Sequence, residues 1–387
     1  MRVVAPWAPL LLVGLLACSA DGTEPAPKGS ANPPPTYASA FARMLDSTRR
    51  ANDFPSLAGA IIRGDSTLEL AAVGYRVAGE APLVADGDRY HLGSVLKHQT
   101  AVLAAALVDD GHLSWTRGLA EYFPDDSLAM RPEYRRVTLR MLLSHASGLP
   151  RDPAPGTIPA GGRSARLSVM RSVTTLAPVA AAGSYSYSNA GYMVAGAIIE
   201  RAMDRDFDQV MRERLWLPLG MTSAGWGAAG SAAIDEPFGH VVNANGVRTA
   251  VPPQSQGADN PAAYAPAGGA HMSIGDWARF TSALLRAQSG RDTPVLTSRS
   301  WTALTSGYTP TAGSDSYGYG LAVTTRSWGG GRVLSHDGTN TRNYAVVWIA
   351  PLRDVAFLLV TNQYSASVAT QMDVAVGRLL QYWTSGR

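Results

Sequence analysis

Apolar and polar positions along this chain fall into blocks with distinct periods. YASAFARMLDSTRRAND, residues 37–53, repeats its apolar positions at helical spacing. LAGAIIRG and STLELAAVGYRV follow as two predicted strands of a hairpin joined at Gly64-Asp65. From Ser94, SVLKHQTAVLAAALVDDGH reads as a helix that is apolar on nearly every face until Asp109, with Gly111 as its stop signal. A helix apolar all round belongs inside the protein. Helix and loop then dominate to about residue 235, with predicted helices in GYMVAGAIIERAM and FDQVMRERLWLPLGM. Beyond an amphipathic helix in SIGDWARFTSALLRAQSG, the segments SYGYGLAVTTRSW, GRVLSH, NYAVVWIAP and DVAFLLVTN carry clustered β-formers. VATQMDVAVGRLLQYW closes as a helix. Strands near both ends, short connections and helices between them predict an α/β fold. Distant chain segments close one antiparallel sheet, helices flank it, and a largely helical region, about 96–235, is inserted.

The N-terminus departs from this pattern. Arg2 precedes the apolar run WAPLLLVGLLA, which ends at Cys18 and is too short to span a bilayer comfortably. LLAC matches a bacterial lipobox, and Cys18 is the only cysteine. Residues 1–18 therefore read as a lipoprotein signal with Cys18 as the lipidated residue. Residues 19–37, rich in Pro, Gly, Ser and Ala, read as a disordered tether, and 38–387 as the folded domain. Export to a bacterial cell envelope, with the membrane as partner through this anchor, is the expectation. A lone cysteine excludes a disulfide within the chain.

Composition narrows the chemistry. With 46% apolar and 16% charged residues, the chain is that of an ordinary globular protein. Net charge is only +3 and the arginines are scattered, so nucleic-acid binding finds no support. The seven histidines form no His-Glu-x-x-His or other close ligand pair, so neither metal nor cofactor is expected, and His91 and His145 read as structural. Of 33 basic residues only Lys28 and Lys97 are lysines. Arginine stays protonated in proteins, whereas a lysine amine can be tuned to give up its proton. Lys28 falls in the tether, so Lys97 is the sole lysine of the folded part, and it stands three residues after Ser94. One helical turn apart on a buried helix, a hydroxyl and an amine of lowered pKa suit a nucleophile and its base; a helix N-cap followed by a surface lysine accounts for the same spacing.

Two further stretches carry polar groups at element ends. Tyr187-Ser188-Asn189 precedes an apolar helix, where a phenol can shuttle protons and an amide can orient a substrate carbonyl; helix capping accounts for the same residues. His336-Asp337-Gly338 ends a predicted strand, with Gly338 leaving room for close approach of a substrate.

Taken in order, Ser94-Val95-Leu96-Lys97, Tyr187-Ser188-Asn189 and His336-Asp337-Gly338 resemble the Ser-x-x-Lys, Tyr-x-Asn and (Lys/His)-x-Gly motifs of the β-lactamase and penicillin-binding-protein superfamily, nearest its class C β-lactamase and esterase branch. GHLSWTRGLAEYFPD, VTLRMLLSHASGLP and APAGGAHMSIGDWARF extend the likeness over about residues 38–385. The resemblance implies Ser94 as the acylated nucleophile, Lys97 as its proton acceptor and Tyr187 as base or proton relay. It implies Asn189 and His336 at the substrate, and the backbone N–H groups of Ser94 and Thr339 as the oxyanion hole. His336 stands where many relatives have lysine, which removes a cation for a substrate carboxylate, and Arg342 is the candidate to supply one. Neither a class A Ser-Asp-Asn motif nor a Gly-x-Ser-x-Gly elbow is present. Hydrolysis of esters or small amides, as by a carboxylesterase, is the leading expectation. The alternatives are a β-lactamase or D-amino-acid peptidase, and a non-catalytic envelope recognition module. A small-molecule ester, β-lactam or D-amino-acid peptide is thus the expected partner; oligomeric state is not encoded in these motifs.

Overall fold

The computed structural model describes residues 35–306, 309–311 and 315–386. Cys18, the expected signal and the tether up to residue 34 lie outside the described residues. Tyr37, expected at the end of the tether, is half-buried, and its hydroxyl accepts the Gly74 N–H at 2.8 Å. That bond joins it to the folded domain.

The hairpin around Gly64 is present: Ser56–Arg63 runs antiparallel to Ser66–Gly74, and Gly64 turns at φ +53°. Val355–Thr361, from near the C-terminus, pairs with the other edge of Ser56–Arg63. Tyr344–Ala350, Gly331–Thr339 and Ala322–Arg326 continue the sheet, all antiparallel, and Ser316–Tyr317 and Thr309–Pro310 complete eight strands. First and last strands are thus neighbours, as the expected closure by distant segments requires. The central strands read as unbroken apolar runs because both faces of the sheet are covered. Helices Ala40–Ala51 and Val368–Thr384 cover one face, packing Phe41, Leu45 and Leu379 against Leu57 and Phe357. On the other face Ala58 and Leu358 meet the core built by Leu96–Asp109, Asn189–Met203 and Ile274–Gln288.

Three details differ from the sequence pattern. SYGYGLAVTTRSW forms two strands, because Gly320 turns at φ +78° where its backbone lies against the helix Leu96–Asp109; a Cβ there would sit 2.5 Å from His98 Cα. The predicted helix FDQVMRERLWLPLGM is regular only over Phe207–Met211, after which Arg212–Trp216 widens into a π-type turn. Two small sheets join Arg89–His91, Ala270–Ser273 and Gly225–Trp226, and Gln363–Tyr364, Gly239–Val242 and Arg248–Val251. Strands of two to four residues are too short to show a period.

Candidate active site

Ser94 occupies a tight turn, Gly93–Val95, that runs directly into the helix Leu96–Asp109, one step before the position expected for it. Gly93 has φ +53°, and a Cβ on it would lie 2.3 Å from Thr339 N. On the facing strand, a Cβ on Gly338 would lie 2.4 Å from Leu92 O and 2.5 Å from Ser94 N. The two backbones touch, and neither position has room for a side chain. Gly338 lines the cavity as expected, but the space its missing side chain leaves is filled by the nucleophile's own turn. This contact places the backbones of Ser94 and Thr339 side by side, the pair expected to hold an oxyanion.

Lys97 is fully buried. Its Nζ lies 2.9 Å from Ser94 Oγ, 2.7 Å from Asn189 Oδ1 and 2.6 Å from the carbonyl of Ala267. Burial holds its pKa well below 10.5; Asp152 opposes that shift and Arg151 adds to it. Nζ donates to the two carbonyl oxygens and to Ser94 Oγ. Three oxygens surround Nζ, and the lowered pKa brings the neutral amine, with its free lone pair, within reach beside Ser94 Oγ. Tyr187 approaches Ser94 Oγ from the other side, its hydroxyl donating at 2.8 Å. Burial raises the Tyr187 pKa above its ordinary 10, and the bond to Ser94 only partly offsets this. Tyr187 is therefore a neutral phenol, better suited to relay a proton than to act as a phenolate base.

The local reading of Tyr187-Ser188-Asn189 holds for its middle residue. Ser188 caps the helix Asn189–Met203, accepting the Gly191 N–H at 2.8 Å and donating to Pro150 O at 2.6 Å. The flanking residues face Ser94 and Lys97. Asn189 is aimed by Asp152, which accepts its Nδ2–H at 2.8 Å and the Tyr264 hydroxyl at 3.2 Å. Sequence reasoning missed Asp152; a lone aspartate in a loop carries no spacing signal. His145, read as structural, is buried at φ +58° with its ring centroid 4.3 Å from that of Tyr187, and its Nδ1 accepts the Ser188 N–H at 3.1 Å. It fixes the phenol from behind.

His336 closes the site from the strand. Nδ1 donates to the Asp337 carbonyl at 2.5 Å and Nε2 accepts the Tyr317 hydroxyl at 2.9 Å, so both ring nitrogens are engaged. Burial pulls its pKa down to about 4; Asp337 opposes the shift and Lys97 adds to it. It is neutral at pH 7. Arg342 is not brought to this place: its side chain lies against Gly239, and its guanidinium donates to Asn340 O at 3.2 Å and to the Thr341 hydroxyl. The turn after the strand carries it away from the cavity. Ser94, Tyr187, His336, Gly338 and Thr339 line a cavity of about 420 Å³. Among the described residues lining it, Arg151 is the only arginine or lysine. Its guanidinium sits 5.1 Å from the Tyr187 ring centroid, and its side chain is 71% exposed.

Comparison with known proteins gives the same frame. A curated relative, the Unguisins hydrolase ungD' of Aspergillus campestris, is 28% identical over 313 residues, which span 77% of this chain and 56% of the relative. Penicillin-binding protein 4 of Amycolatopsis lactamdurans is 31% identical over 178 residues, 46% of each chain. The chain thus spans about half the length of the curated relatives it matches. The solved beta-lactamase/D-alanine carboxypeptidase of Pseudomonas syringae shares the fold at TM-score 0.70 and 18% identity, covering 89% of this chain and 99% of that one. The family described as Beta-lactamase matches residues 41–380, nearly the whole folded part. The chain belongs to the beta-lactamase family.

Proposed function

We propose that this chain is a serine hydrolase working through an acyl-enzyme on Ser94, with esters and small amides as substrates and carboxylester turnover as its main chemistry. The observation that carries this reading is the convergence on Ser94 Oγ of a fully buried Lys97 Nζ at 2.9 Å and the Tyr187 hydroxyl at 2.8 Å. In the reaction, Lys97 takes the Ser94 proton as Oγ attacks the substrate carbonyl. The backbone N–H groups of Ser94 and Thr339 hold the oxyanion. Tyr187 gives its phenolic proton to the leaving group and recovers one from Lys97. Water then attacks the acyl carbon, the same groups move its proton, and Ser94 is released. A neutral His336 favours uncharged acyl donors, since it offers no charge to a carboxylate.

Arg151 supports a second reading, in which the substrate is a carboxylate-bearing D-amino-acid peptide or β-lactam. The names of the penicillin-binding and carboxypeptidase relatives point the same way. Side-by-side turnover of p-nitrophenyl butyrate, a chromogenic cephalosporin and a D-Ala-D-Ala peptide separates the two. The ester is expected to be turned over fastest; faster cephalosporin hydrolysis overturns the esterase preference. The LLAC junction supports anchoring to the cell envelope through Cys18. Cys18→Ala is then expected to leave the membrane fraction, and identical fractionation of the two forms would refute the anchor.

A further inference from the structure

We propose that Asp259 is a positioning residue for acyl transfer: its one carboxylate ties together the two chain segments that carry the oxyanion N–H groups. The proposal rests on the acyl-enzyme reading above. Asp259 lies on the connection between the strand Arg248–Val251 and the turn Ala262–Tyr264, outside all three sequence motifs. Its side chain is 10% exposed.

One arm reaches the nucleophile. Asp259 Oδ2 lies 3.1 Å from Nε2 of His91, a buried residue three positions before Ser94. His91 Nδ1 accepts the Gly93 N–H at 3.1 Å, so the ring proton resides on Nε2 and faces the carboxylate. The approach is off the N–H axis, which makes it an electrostatic contact and not a linear hydrogen bond. Through the ring, the carboxylate holds the Gly93 amide and with it the turn that presents Ser94.

The other arm reaches the strand. Asp259 Oδ1 accepts from Asn340 Nδ2 at 3.3 Å, and Asn340 follows Thr339 directly. Asn340 is itself buried, and its Oδ1 accepts from the Arg342 and Asn343 N–H groups at 3.2 and 3.0 Å. It therefore fixes the whole turn that ends the strand. Asp259 Oδ1 also accepts the Asn260 N–H at 2.8 Å, which orients the carboxylate on its own loop. Burial opposes ionisation of Asp259. The His91 contact and the bonds from Asn260 and Asn340 outweigh it and hold the carboxyl below its ordinary 3.8.

The two N–H groups lie on segments more than two hundred residues apart in sequence, joined across the crevice by glycine backbones in contact. Contact alone does not fix the angle at which two amides converge. A carboxylate held against both sides does, and oxyanion stabilisation depends on that convergence more than on substrate affinity.

Asp259→Asn keeps the shape and removes the charge that draws His91. Asn340→Asp keeps every bond that Asn340 Oδ1 accepts and sets a second carboxylate against Asp259. Each is expected to lower kcat on p-nitrophenyl butyrate about 10- to 100-fold with KM within about twofold, the scale of a misplacement near 1 Å. The affinity for phenylboronic acid, whose tetrahedral Ser94 adduct places an oxygen in the oxyanion hole, is expected to fall in step with kcat. Thermal melting gives the folded fraction of each variant. If boronate affinity per folded molecule is unchanged in the variants that fold, Asp259 serves the fold only and the proposal fails. If the wild type neither binds boronate nor cleaves the ester, the acyl-enzyme reading fails first and takes the clamp with it.

Discussion

The two walls of the cavity are built on opposite plans. On the helical wall, Ser94, Lys97, Tyr187 and Asn189 form a chain of side-chain hydrogen bonds between 2.7 and 2.9 Å, backed by Asp152 and His145. On the strand wall, Gly338 and Thr339 contribute backbone, and His336 is neutral with both nitrogens engaged. In the proposed mechanism the helical wall moves protons, which requires groups of tuned pKa in fixed contact. In the same proposal the strand wall receives the carbonyl and the rest of the substrate, which requires shape and N–H groups. Damage to the first should therefore cost catalysis whatever the substrate, while changes on the rim beside the second should sort substrates from one another.

The largest expected effects test the helical wall. Ser94→Ala removes the nucleophile, and labelling by a fluorophosphonate should disappear; label remaining on the variant would place the nucleophile elsewhere. Lys97→Arg keeps a positive charge but removes the neutral form, so acylation should fall by about 10²-fold or more. Near-normal burst kinetics in that variant would end the assigned role of Lys97.

The pH profile sharpens the same contrast. Because burial lowers the Lys97 pKa, the base is neutral far below pH 10.5, and kcat/KM should fall only as pH drops through that lowered value. Burial raises the Tyr187 pKa, so loss of its proton should give no alkaline limb below pH 10. An alkaline limb near neutrality, retained in Lys97→Arg, would contradict this assignment of base and relay.

Four buried histidines, one in the cavity and three elsewhere in the fold, predict an effect on stability. His98 is pulled to about 3 and His336, His240 and His271 to about 4, each first by burial. The unfolded chain takes up these protons as pH falls below 6.5, while the folded chain does not. Stability from this source is complete above pH 6.5 and is lost as pH falls towards 4. A melting temperature that stays level from pH 7 to 4.5 would show that these rings are not held neutral.

The smallest effect distinguishes Arg151, at the cavity, from Arg342, which lies away from it. Arg342→Ala should leave turnover of all substrates unchanged, because its guanidinium faces Asn340 and Thr341. Arg151→Ala should leave uncharged esters alone and raise KM for a carboxylate-bearing peptide by about tenfold or more, as expected for a charged hydrogen bond of about 1.5–3 kcal/mol. Equal response of both substrate types would remove Arg151 from recognition.

Much of this arrangement was legible before any coordinates. Ser94 and Lys97 are one turn apart, and a helix that is apolar all round has to bury the lysine it carries. The hairpin, the terminal helices and the long strands announced themselves because each is long enough to display a period. Arg342 misled because it is near His336 in sequence, whereas the turn at 340–343 directs it outward. Arg151, Asp152 and Asp259 gave no signal at all. Each sits in a loop, and the site group it touches is tens to hundreds of positions away.

By itself, the sequence determined whatever depends on neighbours within a turn or along a strand: the Ser94–Lys97 pair with its buried lysine, the capped helix behind Tyr187, and the apolar strands that must be covered on both faces. Only the tertiary structure decided which distant groups converge: that Asn189 completes the acceptors of Lys97, that His336 spends both nitrogens on Tyr317 and Asp337, and that a glycine backbone at 338 seats the turn of Ser94. The physical reason is range. Helix and strand periods are set by local backbone geometry, whereas packing contacts and buried hydrogen bonds form between segments whose meeting depends on the whole core.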